Sequence, residues 1–150
     1  MTLDPQQLAR ASADAMWADD QASQAMGMAL EHVAPGTATL SMTVRKDMVN
    51  GHDICHGGFI FTLADSAFAF ACNSHNLNAV ASGARIEFLA PGKLGDVLSA
   101  VATQVSQGRR SGVYDSIVTN QDGKTIALFR GNSARIGGAL VDESTGEIIN

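Results

Sequence analysis

Between Asn50 and Asp65 the chain reads "NGHDICHGGFIFTLAD". His52, Asp53, Cys55, His56, three glycines and the carboxylate of Asp65 crowd into this stretch, at the entrance to a very apolar segment. Three chemistries use such residues: a metal held by His and Cys, a cysteine nucleophile, or a backbone cradle for an anion where a helix begins.

The spacing bears on each. His52, Cys55 and His56 form H-x-x-C-H, but structural zinc takes a second ligand pair further along, and downstream His75 stands alone while Cys72 falls in the apolar segment. No metal is expected. A nucleophilic Cys55 would need a lowered pKa; a helix start helps in that direction, yet a small cysteine packed beside a turn fits the same position. The glycine reading rests on "HGGF": Gly57 and Gly58 would present unobstructed N–H groups at the positive end of a helix, suited to an anion or a developing oxyanion. Neither a Gly-Lys-Ser/Thr phosphate loop nor G-x-G-x-x-G is present.

Asp65 adds weight to this reading. Within so apolar a helix an unpaired ionised carboxylate is costly, and Thr62 and Ser66 lie beside it. A structural hydrogen bond would account for it; so would a general base or nucleophile in a dry site. Asp65 follows Gly57 by eight residues. That is about 12 Å along a helix axis. A carboxylate and an N–H so far apart cannot meet at one small reacting group, so a site using both would be shared between two copies of the chain.

Several elements must position these residues. Asp4, Pro5 and Gln7 form a helix start with a reciprocal cap, followed by an Ala-rich stretch to about Ala18. Gln21–Met26 reads as a second short helix closed by Gly27. Ala38, Leu40, Met42 and Val44 alternate with polar residues as in a half-buried strand, and Gly57 to about Ser74 is a helix apolar on nearly every side. After Asn78 come "ARIEFLA", the alternating Val97, Val101 and Val105, and strands from Val113 and Thr125 after the turns "SQGRRSG" and "NQDGK". The expected architecture is α+β in one domain over 1–150, with a helical segment at 1–27 and a flexible acidic tail at 139–150. One strand precedes the central helix and three or four form an antiparallel meander after it. Such a sheet leaves open edges, which favours self-association.

The totals narrow the class. The chain has 150 residues, 45% hydrophobic, with ten basic and fifteen acidic residues for a net charge of −5. That argues against nucleic acid as a partner, since phosphate contacts need clustered cations. Two cysteines suit a reducing compartment, and "MTLDPQQL" lacks the pattern of a secretory leader. No run is long enough to span a membrane, so a cytoplasmic location is expected.

The arrangement N-x-x-x-x-x-H-G-G-x-x-x-x-L-A-D, from Asn50 through Asp65, resembles the hotdog-fold acyl-CoA thioesterases, in the branch associated with phenylacetic acid degradation. The likeness continues through "AFACNS", "AVAS", "FLAPGKLGD", "GVYD" and "ALFRGNSARIGG". It implies a hotdog fold, a long central helix wrapped by a curved antiparallel sheet. It also implies hydrolysis of acyl-CoA thioesters, aromatic ones such as phenylacetyl-CoA or its ring-hydroxylated derivatives, by a dimer of dimers with shared sites and no cofactor. By position, Gly57 would polarise the thioester carbonyl and Asp65 of a second subunit would activate water or attack as a nucleophile. Asn50 would position water or substrate, and His56 would orient. Gly58 and Ser66 are the adjoining substrate-binding candidates. Arg109, Arg110 and Arg130, with Arg135, are the cations for the coenzyme A phosphates. His52 and Asp53 receive no role; His32 and His75 read as surface or satisfied residues and Trp17 as a packing anchor. The same fold hosts hydratases and dehydratases, which pair a His with a carboxylate, and non-catalytic acyl-CoA sensors. Formation of an enoyl product would identify the first, and tight binding without turnover the second.

Overall fold

The computed structural model describes residues 2–149. Helix α1 (Pro5–Asp19) begins as its sequence dictates: the Asp4 side chain accepts from the Gln7 N–H, and the Gln7 side chain accepts from the Asp4 N–H. Helix α2 (Gln21–Ala25) follows directly, with Asp20 as its cap. Strands β1 (Ala29–Ala34) and β2 (Thr37–Thr43) form a hairpin, then a loop leads into the central helix α3 (Gly57–Cys72). Strands β3 (Ala79–Phe88), β4 (Val97–Gln107), β5 (Ser111–Thr119) and β6 (Thr125–Arg135) complete one antiparallel sheet in the order β1-β2-β4-β5-β6-β3. Two strands, not one, precede α3. β1 lies on an edge and buries Val33 alone among its residues, so it carries no alternating signature.

The concave face of the sheet wraps α3. Leu40 and Met42 from β2, Leu98, Ala100 and Ala102 from β4, Tyr114 and Val118 from β5, and Phe129 from β6 are all buried against it. Small residues let the helix approach closely: a Cβ added at Gly131 would stand 2.8 Å from the Phe68 ring. Phe68 packs 5.9 Å from Tyr114 and 5.8 Å from Phe129 between ring centroids. Trp17 anchors α1 against Phe70 at 6.1 Å. Val97, Val101 and Val105, which alternate in sequence, lie on the opposite, exposed face. There Val101, Ile117 and Leu128 line up as cross-strand neighbours.

α3 stops at Cys72 because Asn73 ties its end to the sheet. The Asn73 amide donates to the carbonyls of Ala69 (2.9 Å) and Ala79 (3.1 Å), and its oxygen accepts from the Ala79 N–H (2.9 Å). The acidic stretch expected as a flexible tail is instead docked. Asn76, at φ 62°, accepts from the N–H groups of Leu140 and Val141 and donates to the Val141 carbonyl, and Val141 is fully buried.

Candidate active site

The loop ahead of α3 is built from its own polar groups. The Asn50 side-chain oxygen accepts from the N–H of His52 (2.9 Å) and Ile54 (3.3 Å), closing a turn in which Asp53 adopts φ 58°. The Asn50 amide nitrogen has no partner among the described residues. The His56 N–H donates to the Met48 carbonyl and the Cys55 N–H to the Gly92 carbonyl, which fixes the entry angle of the helix.

At that point α3 opens without a cap. His56 occupies the capping position but makes no side-chain hydrogen bond to the first turn, leaving the donors at Gly57 and Gly58 uncapped. The two glycines differ. A Cβ at Gly57 would come within 2.8 Å of the Phe88 ring, whereas one at Gly58 would meet nothing within 4 Å. Ile54, Cys55, Gly57, Ile60, Phe88 and Pro91 line a cleft of about 500 Å³ beside this helix end. Burial pushes the Cys55 thiol up to about 11, so this thiol stays protonated and unreactive near neutral pH. Among the described residues no three His, Cys, Asp or Glu side chains converge as a metal would require.

Two turns on, Asp65 lies on the part of α3 that the sheet leaves half-covered. Burial, with the negative charge of Asp20 as the smaller cause, raises its carboxyl above the usual carboxylate range. Thr62 donates back to the Gly58 carbonyl at 2.9 Å. Ser66 is buried, with its Oγ 2.8 Å from that of Ser23, so it faces α2 and not the cleft.

The structure separates the expected cations. Arg130 is held bidentately by Asp115, at 2.7 and 2.9 Å, on the convex face of the sheet. Arg109 and Arg110 sit in the β4–β5 turn, where the Arg135 guanidinium donates to the Arg109 carbonyl. Ser111 pairs with Ala134 and Arg135 with Ala79, while Phe88, beside Gly57, pairs with Ala127 at the other end of β3. At about 3.4 Å per residue these ends are on the order of 30 Å apart. Within one protomer Arg109 and Arg110 are therefore remote from Gly57. Lys93, whose backbone pairs with Ile54, directly follows Gly92 of the cleft wall. Phe88 and Lys93 escaped the sequence reading because nothing local signals that "FLAPGK" folds back onto the helix start.

Known proteins supply a frame for this geometry. Residues 52–127 match the model of the thioesterase superfamily. The acyl-coenzyme A thioesterase PaaI of Escherichia coli is 50% identical over 133 residues, which is 89% of this chain and 95% of that protein. The solved structure of the E. coli PaaI protein from the phenylacetic acid degradation operon superposes with a TM-score of 0.89 at 48% identity, covering 91% of this chain and 99% of that one. A hypothetical thioesterase from Streptococcus pneumoniae, solved with coenzyme A, matches at TM-score 0.72 and 29% identity, over 75% of this chain and 88% of that one.

Proposed function

The chain belongs to the thioesterase superfamily and is an acyl-CoA thioesterase of hotdog fold; on that premise we propose that it cleaves aromatic acyl-CoA thioesters, of the phenylacetyl-CoA or hydroxyphenylacetyl-CoA type, to the free acid and coenzyme A. The observation that carries this reading is the pairing of an uncapped Gly57-Gly58 helix start with a half-buried carboxylate at Asp65 on the same helix. The apolar cleft walled by Phe88 and Ile60 suits an aromatic acyl group, and the relative from a phenylacetic acid degradation operon points the same way.

In this reading the thioester carbonyl oxygen takes the Gly57 N–H. One well-placed donor of this kind is worth about 2.7–4 kcal/mol as charge develops on that oxygen. Asp65 of the partner subunit accepts a proton from water as the water oxygen attacks the carbonyl carbon. The tetrahedral intermediate then collapses, its C–S bond breaks, and coenzyme A leaves as a thiolate that takes up a proton. Asp65 acting instead as a nucleophile would pass through a mixed anhydride to the same products. The amide nitrogen of Asn50 would hold the water, and His56 would orient the thioester. The reaction requires no metal or organic cofactor.

The partner is supplied by an exposed edge. β3 pairs with β6 on one side only, and Val80, Phe88 and Leu89 along and just beyond it are exposed. Two copies of β3 joined antiparallel would continue the sheet and bring each Gly57 opposite the other α3. The turn carrying Arg109 and Arg110 would come with the partner, toward the coenzyme A phosphates; two such dimers form the tetramer. The test is free coenzyme A released from a panel of aromatic and aliphatic acyl-CoAs, with Asp65→Asn beside wild type. Aromatic turnover that falls by about 10²–10⁴ in the variant is expected. Equal turnover in both proteins would remove Asp65 from the mechanism, and a preference for aliphatic chains would overturn the substrate assignment.

A further inference from the structure

We propose that Asp20 is a positioning residue for Asp65, acting through Ser23 and Ser66 across the contact between α2 and α3. The proposal rests on the role given above to Asp65 and adds a second residue to it.

The contact is a chain of three side chains. The Asp20 carboxylate accepts from the Ser23 N–H at 3.0 Å and from the Ser23 hydroxyl at 2.7 Å. The Ser23 and Ser66 hydroxyl oxygens are 2.8 Å apart, and these residues are 1% and 8% exposed. A hydroxyl has a single proton to donate. That of Ser23 goes to the carboxylate, so the proton between the two serines must come from Ser66. The sequence of donors is thereby fixed as Ser66 to Ser23 to Asp20, ending on a charge. Ser66 is thus anchored to α2 on its buried side, and the preceding residue, Asp65, is held about 100° around the helix on the half-covered side. The link to α3 is a hydroxyl pair, and the charge-assisted bond behind it, from Ser23 to Asp20, holds the accepting hydroxyl in place.

Charge adds to position. Asp20 acts on the Asp65 carboxyl from α2 and raises it, as the smaller cause after burial. On α3 itself Cys72 faces it, a thiol pushed up to about 12 by burial with a contribution from Asp65. β5 contributes Tyr114, fully buried and bonded to Gln104 and Gln107 of β4. β2 turns uncharged side chains toward α3. β6 does so too except at its far end, where Arg135 lies half-buried with its charge acting on Tyr114 and its guanidinium on the Arg109 carbonyl. Arg85 and Glu87 of β3 pair with each other in the open. Among the described residues no cation opposes Asp20 at this carboxyl. Asp20 and Ser23 lie outside residues 52–127, the part that matches the superfamily model, while Ser66 and Asp65 lie inside it.

Two variants separate charge from tether. Asp20→Asn keeps one oxygen to cap the Ser23 N–H and nearly the same shape, but it removes the charge and puts an amide nitrogen where the second oxygen accepts from the Ser23 hydroxyl, so the acid limb, and not kcat alone, reads out the charge. This variant should lower kcat about fivefold with KM changed less than about twofold, and move the acid limb of kcat/KM to lower pH, because Asp65 becomes a weaker base. Ser23→Ala keeps the charge and breaks the tether; a similar fall in kcat with the acid limb in place is expected. Both are measured on the full chain beside Asp65→Asn, with the folded fraction and assembly checked for each. An active Asp65→Asn would sink the reading of Asp65 itself. An inactive Asp65→Asn, together with wild-type kcat and acid limb in Asp20→Asn and Ser23→Ala, would overturn the role of Asp20 alone. Losses that merely follow the folded fraction, with the acid limb unmoved in Asp20→Asn, would make the contact structural and overturn it equally.

Discussion

The two ends of α3 are built on opposite plans. At the C-terminal end Asn73 makes three hydrogen bonds across to Ala69 and Ala79, and Ser74 donates to the Ala71 carbonyl while accepting from the Gly36 N–H. Every one of these groups is satisfied by the chain itself. The N-terminal end has an exposed His56 that stands in the cap position without a capping bond, two glycines in its first turn and an apolar cleft beside it. A buried helix of this length could have been closed at both ends, and capping the first turn is worth about 1 kcal/mol. Leaving donors open is unfavourable for the free protein and useful only where something else binds them. The closed end reads as stability and the open end as function.

Substitutions at the two ends should separate along that line. The largest effect is expected at Gly57→Ala. The added methyl collides with the Phe88 ring at 2.8 Å, but the far edge of an exposed ring can swing away, so the loss falls on the cleft and not on the fold. The backbone N–H of position 57 is kept, but the displaced ring shifts the thioester off it, so steady-state kinetics should show kcat/KM down by about 10²-fold with little change in melting temperature. Adding Phe88→Ala would restore part of the loss if the clash is the cause.

Asn73→Ala should do the reverse. It strands the Ala79 N–H and takes a donor from the Ala79 carbonyl, while the Ala69 carbonyl keeps the backbone N–H of position 73. The cost is about 1–3 kcal/mol, or roughly 3–10 °C in melting temperature, with kcat per folded molecule unchanged. A variant that lost kcat at wild-type stability would break the division between the ends.

Asp65 sharpens the comparison through pH. Its carboxyl is raised in the folded state, so the native protein holds this proton more tightly than the unfolded chain does. Stability contributed by this group is present below the ordinary carboxylate pKa and lost as pH rises through the folded value. Asp65→Asn should therefore melt about 2 °C higher than wild type near neutral pH, with the gap closing in acid. An unchanged gap across that range would show the carboxyl to be unperturbed. Activity that needs the ionised form should rise through a midpoint above the usual carboxylate range.

The smallest effect is expected at Gly58→Ala. Open space surrounds the new methyl and Ala favours helix, so stability should rise by about 0.5 kcal/mol. A higher KM together with that gain would mark the space as the path of the thioester; an unchanged KM would move the path elsewhere.

Much of this was legible in the sequence because it is local. The capping box at Asp4 and Gln7, the alternation of Ala38, Leu40 and Met42, and the turns at Gly108 and Gly123 are set by neighbours a few residues apart. So is the placement of a polar Asp65 in an apolar helix directly after Gly57 and Gly58. Local chemistry misled where packing decides. "ALEHVA" does not alternate because an edge strand needs only one buried residue, and "GALVDESTGEIIN" is polar enough to look loose, yet one buried Asn76 hooks its backbone. The alternation of Val97, Val101 and Val105 is real, but period alone does not say which face of a sheet it occupies, and here it is the convex one.

What the sequence determined by itself is therefore a set of parts: a capped N-terminal segment, a central helix that must be buried, an uncapped glycine start and a carboxylate on that helix. Propensity, periodicity and the cost of burying charge act within a turn or two, and those features need nothing more. The tertiary structure alone decided which parts meet. It laid Phe88 over Gly57 and tied Ser66 to Ser23 and Asp20. It also carried Arg109 and Arg110 to the end of the sheet away from Gly57, leaving β3 as an open edge. The reason is that antiparallel register converts separations of tens of residues into direct contacts, and the small residues that permit the close approach of α3 acquire meaning only from what they face.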